Sequence, residues 1–121
     1  MTPTLIIVGR FLLGLMFIIA GVRNFMRLDE RLAGKTNYGF SLPRPAIILG
    51  FAVQLVGGIS VAFGLWPAWG ALALIAFIIP ATAFYHNLFL FQGKERDPHL
   101  YFTTVNAALC GAFLLVIALS L

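Results

Sequence analysis

Charge is scarce in this chain, at 10% of its 121 residues, where soluble domains carry about a quarter. Only four residues are acidic, and none lies in a long apolar run. One cysteine rules out an internal disulfide and a Cys-x-x-Cys redox pair. A Gly-rich phosphate loop, a Ser/His/Asp grouping and paired carboxylates are all missing. The formal charge of +4 comes from eight Lys and Arg spread along the chain, which build no DNA-binding face and exclude nucleic acid as a partner. What is abundant is apolar surface. At 61% hydrophobic, a chain this short cannot hide its side chains in a water-soluble core, so an ordinary cytosolic enzyme and a disordered tail are excluded too.

The apolar residues form four runs, Leu5–Val22, Pro45–Leu65, Ala68–Phe91 and Leu100–Leu121. At about 1.5 Å per residue each is long enough for a hydrocarbon core of roughly 30 Å. They are continuously apolar and do not alternate, so helices rather than a barrel are expected. The fold class is an all-α membrane protein, one four-helix transmembrane domain over residues 1–121. No basic residue precedes the first run and no cleavage site follows it, so that span is expected to be retained. Pro43 and Pro45 mark the entry to the second span, Trp66-Pro67 a tight turn with Trp69 nearby in an aromatic belt, and Asp97-Pro98 the approach to the fourth. Pro80 is expected to kink the third. Arg23, Arg27, Arg31, Lys35 and Arg44 fall in the first connection, Lys94 and Arg96 in the last, and none at the Trp66-Pro67 turn. Connections 23–44 and 92–99 should therefore be cytoplasmic and both termini outside, in a bacterial inner membrane. Phe25, Leu28 and Leu32 recur at helical spacing among charged residues, with Gly34 as a stop. They read as a short amphipathic helix on the membrane surface, the alternative being a solvated basic loop.

Polar side chains within the spans are expensive in hydrocarbon, so each needs an account. Arg10 lies about 7 Å inside the first span and shares a helical face with Gly14, Phe17 and Gly21. It either snorkels to the headgroups or packs inside, where no carboxylate could meet it. Gln54 shares a face with Gly50, Gly57 and Gly64, small residues that let another helix approach, and reads as an interhelical hydrogen bond. His86 and Asn106 are expected level with each other, on facing helices near the cytoplasmic side, with Thr82, Asn87, Thr103, Thr104 and Cys110 around them. The cluster reads as structural glue or as a seat for the polar head of a quinone or small substrate. His99 is placed at the inner surface, not level with His86, and no metal site is expected. Cys110 reads as a packing residue.

Taken in order, Gly9-Arg10-Phe11, Ala20-Gly21-Val22-Arg23-Asn24-Phe25, Gln54-Leu55-Val56-Gly57-Gly58, Thr82-Ala83-Phe84-Tyr85-His86-Asn87, and Asn106 with Gly111 resemble the DoxX family of small membrane proteins over nearly the whole chain. The resemblance implies a four-helix membrane protein. Some members are small subunits of redox assemblies, including thiosulfate:quinone oxidoreductase, and others are linked to thiol and oxidative-stress handling. Two positions depart from the pattern. Gln54 stands where relatives often carry Glu, which would have been the counter-ion for Arg10, and Arg23 where Lys is frequent. Three functions follow as expectations. The first is an accessory or quinone-facing subunit of a membrane redox complex, binding no cofactor alone except a quinone and taking electrons from a larger partner. The second is a non-enzymatic scaffold that packs its glycine faces on a larger membrane protein or on a second copy. The third is a small-molecule carrier with a cleft around Arg10 and Gln54.

Overall fold

The computed structural model describes residues 2–86 and 93–121, apart from the side chain of Glu95. Among the described residues all regular structure is helical. The elements are α1 (Thr2–Met26), α2 (Leu28–Ala33), α3 (Arg44–Phe63), α4 (Pro67–Tyr85) and α5 (Arg96–Ser120), the last entered through a 3₁₀ turn at Gly93–Glu95. Four of them, α1, α3, α4 and α5, are long and apolar enough to cross a membrane.

Local chemistry sets the ends. Pro45 lies in the first turn of α3, where a missing N–H removes no helical bond, and the Pro43 carbonyl accepts from the N–H groups of Ala46 and Ile47 at 3.0 and 3.2 Å. α3 stops at Gly64, whose φ of 73° suits glycine, and the Leu65 N–H reaches back to the Ser60 carbonyl at 2.9 Å. Trp66, also left-handed at φ 48°, leads into Pro67 at the start of α4. The Ser60 hydroxyl stitches this turn by donating toward the carbonyls of Leu65 and Trp66.

The helix limits differ from the apolar runs. α1 continues past Val22 to Met26, and α5 starts one turn before Leu100. Asp97 and Pro98 belong to that added first turn, where an acidic residue suits the helix dipole and proline loses no bond. α4 ends at Tyr85 although the apolar run continues to Phe91, and Asn87 lies outside the described residues. α4 runs through Pro80 as one helix. The short amphipathic segment is α2, with Leu28 and Leu32 half-buried and Asp29, Glu30 and Arg31 exposed.

Packing follows the order α1 on α3, α3 on α4, α4 on α5. Phe17 of α1 and Phe113 of α5 meet edge to face at 5.3 Å and join the outer pair. With Val61, Ala71, Leu74 and Ile78 they form the core. Large side chains such as Leu49, Val56, Ile79 and Leu115 face outward, as expected where the solvent is lipid.

Candidate functional site

The stripe on α1 runs antiparallel along α3. A Cβ on Gly14 would lie 2.5 Å from the Gly58 carbonyl and the Ala62 nitrogen, and one on Gly21 would meet Leu55 at 3.0 Å. The helices touch backbone to backbone, and a polar group closes each end of the stripe. At one end Asn24 Nδ2 donates to Gln54 Oε1 at 2.8 Å, and Arg31 Nε of α2 donates to Asn24 Oδ1 at 3.2 Å. Gln54 is buried at 6% exposure, so this bond satisfies an oxygen that water does not reach. At the other end the Arg10 guanidinium lies against Gly64, where a Cβ would come 2.6 Å from Nη2. Arg10 and Gln54 thus sit at opposite ends of the α1–α3 contact, and the cleft expected around the pair does not form. A carboxylate at position 54 would face Asn24, not Arg10.

The glycines divide between interfaces. Gly57 faces α4, where a Cβ would lie 2.8 Å from Leu74 and 3.2 Å from the Gly70 carbonyl, while Gly50 meets the edge of Phe77 at 3.4 Å. Gly64 is not on a packing face. It ends α3, and its missing side chain makes room for Arg10. The close-contact glycines are occupied by the chain's own helices, which removes them as the expected docking face for another protein.

α4 and α5 meet at the connection end through a ladder of polar side chains. Asn106 Nδ2 donates to Thr82 Oγ1 at 2.9 Å. One turn on, Thr103 Oγ1 reaches the carbonyls of His86, at 3.1 Å, and of His99, at 2.7 Å. The next rung joins His86 Nδ1 and His99 Nδ1 at 2.9 Å, with Phe102 stacked on His86 at 4.9 Å. Two expectations are corrected here. Asn106 is level with Thr82 and not with His86, and His99 is within bonding distance of His86. Both follow from the helix limits. His86 is the first residue past α4 rather than deep within it, and starting α5 at Arg96 puts His99 in its first turn.

Two facing Nδ1 atoms at this distance need one proton between them, one ring donating and the other accepting. Burial, and after it the neighbouring His99, push His86 below the ordinary histidine range. His86 in this pair therefore resists taking up an added proton. Among the described residues no three His, Cys, Asp or Glu side chains converge on a metal position. Thr104 turns back on its own helix, donating to the Leu100 carbonyl at 2.8 Å.

Beside the ladder runs a groove of about 290 Å³, lined by Ile78, Ile79, Thr82, Thr103, Asn106 and Cys110 among others. Its polar residues lie toward the histidines and its apolar ones run along the helices. The first connection packs at the same end of α4. Asn37 N–H donates to the Phe84 carbonyl at 2.7 Å, and the rings of Tyr38 and Phe40 close on Phe84 at 6.1 and 6.0 Å. Asn24, His99 and Gly58 are the contributors that the sequence reading left aside. For Asn24 the signal was present, since it continues the spacing Gly14, Phe17, Gly21 by three residues.

No solved structure matches this chain. It is similar to Inner membrane protein YphA of Escherichia coli (strain K12), at 24% identity over 114 residues that cover 94% of this chain and 81% of the relative. The DoxX family profile matches residues 5–87, from the foot of the Arg10 stripe to the His86 end of α4. That stretch is well over half of the chain and holds both polar ends of the α1–α3 contact: this integral membrane protein belongs to the DoxX family.

Proposed function

We propose that the chain is an accessory subunit of a redox assembly in a bacterial inner membrane, and that its α4–α5 groove receives a quinone. The observation that carries this reading is the groove itself, in which Thr82, Thr103 and Asn106 gather beside the His86–His99 pair at one end of an apolar trough. A quinone has the matching division, a ring with two carbonyl oxygens and a long apolar tail. Hydroxyl and amide groups suit the oxygens, and an imidazole beside them can give or take a proton. Electrons would come from a larger partner, so the role is a subunit's and not a self-contained enzyme's. The relative's name places that protein in the inner membrane, which supports the same location here.

The test uses His86→Gln and His86→Leu in purified protein, with quinone content and melting temperature measured together. Gln keeps hydrogen-bonding capacity but cannot titrate, so His86→Gln is expected to stay folded and to retain less quinone. His86→Leu is expected to lose about 1–3 kcal/mol as well, because the His86–His99 hydrogen bond is lost in a half-dry setting. A folded His86→Gln protein with unchanged quinone content would reduce the cluster to structural glue.

A further inference from the structure

The end of the bundle at the α3–α4 turn carries a different piece of chemistry. The chain has eight Lys and Arg and four Asp and Glu, and all of them but Arg10 fall between positions 23 and 44 or between 94 and 97, at the connection end. No Asp or Glu side chain lies within Arg10's own half of the bundle. No hydrogen bond or ion pair of Arg10 is found among the described residues, and its Nε is fully buried without an acceptor. The guanidinium nevertheless has a fixed seat. Gly64 has no side chain and adopts a left-handed φ, so the guanidinium lies directly against the backbone where α3 ends. The negative end of the α3 dipole attracts the cation there, but it does not fill five N–H donors. A cation held in an apolar wall without a counter-group is expensive, so the missing partner must come from outside the chain.

Depth indicates what that partner is. Trp66 and Trp69, at the same turn, are 78% and 73% exposed. Indoles that face outward at the end of a membrane helix sit at the level of the headgroups. Arg10 is half-buried, so its side chain is partly open at that depth. The oxyanion found there in quantity is phosphate, and a planar guanidinium engages it through two parallel hydrogen bonds. We propose that Arg10, seated on Gly64, is a phosphate-binding site at the turn end of the bundle, filled by a phospholipid headgroup or by a free phosphate ion. The site is independent of the quinone reading, which concerns the opposite end of α4.

Native mass spectrometry and thermal unfolding of the purified protein test this, with phosphatidylglycerol, a diacyl glucoside of the same chain length, and inorganic phosphate as probes. Phosphatidylglycerol is expected to stay bound and to raise the melting temperature, while the glucoside, which lacks phosphate, does neither. Arg10→Gln should weaken phosphatidylglycerol binding by about tenfold or more, the effect of losing a charge-assisted hydrogen bond. Arg10→Lys should fall between, since it keeps the charge and loses the fork. If inorganic phosphate stabilises the protein through Arg10 and the lipid adds nothing, the proposal stands with a free anion as the occupant. Equal retention of phosphatidylglycerol by wild type and Arg10→Gln, or equal binding of the glucoside, with no Arg10-dependent stabilisation by inorganic phosphate, would overturn it. Should Arg10→Gln not fold, Arg10→Lys decides: binding of phosphatidylglycerol and stabilisation by inorganic phosphate both equal to wild type would overturn the proposal. Loss of a co-purifying protein with lipid binding unchanged would do so too, assigning Arg10 to a partner's acidic group.

Discussion

A proton shared by two imidazoles ties the polar ladder to pH. His86 binds a proton less readily in the folded chain than in the unfolded one, chiefly because it is buried and then because His99 faces it. The sign of the effect follows. The pair's contribution is complete above the ordinary histidine value of about 6.5 and is lost as pH falls below it, where the unfolded chain takes up the proton first. The wild-type melting temperature should therefore fall more than that of His86→Gln between pH 7.5 and 5.5. Parallel profiles would show that the shared proton contributes nothing to stability. The same residues show how far side-chain chemistry could be read in advance. That Gln54, His86 and Asn106 are polar groups in apolar segments was plain from the sequence. Their partners were not, because each partner depends on where a helix starts or stops. Asn24 reaches Gln54 only because α1 outlasts its hydrophobic run, and His99 reaches His86 only because α5 begins before its own.

Among the helices, α3 holds a distinctive place, gripped on two sides by way of adjacent glycines. Gly57 brings its backbone against α4, and Gly58 brings it against α1, where a Cβ would lie 2.9 Å from the Ile18 nitrogen and 3.0 Å from the Gly14 carbonyl. Gly58→Leu should therefore cost about 1–3 kcal/mol or more, since the atoms it meets are backbone and cannot turn aside. Gly50→Ala is the comparison, with only the edge of the Phe77 ring at 3.4 Å to displace. Melting temperatures of the two variants in one detergent check this, and a Gly58→Leu protein as stable as wild type would mean that α1 and α3 do not meet there. The repeat of glycines at 50, 57 and 64 showed that α3 has a close-packing face. It did not show that Gly58 adds a second face, or that Gly64 lies past the helix end. A seven-residue spacing describes one stripe of a helix, whereas α3 has neighbours on two sides.

For the molecule as a whole, seven Lys and Arg fall in or beside the two connections and none at the Trp66-Pro67 turn. The expected orientation puts the turn outside and the connections in the cytoplasm. A cysteine added beside Trp66 should react with an impermeant thiol reagent in intact cells, and one beside Lys35 should not. The reverse pattern would invert the protein. The turn has a further consequence for how the chain enters the membrane. Gly64, Leu65 and Trp66 are all that separate α3 from α4. Three residues reach at most about 11 Å, well short of a hydrocarbon core of about 30 Å. Neither helix can be threaded across while the other waits in water on the far side. The two helices are expected to enter together as a hairpin whose tip is the left-handed turn closed by the Ser60 hydroxyl.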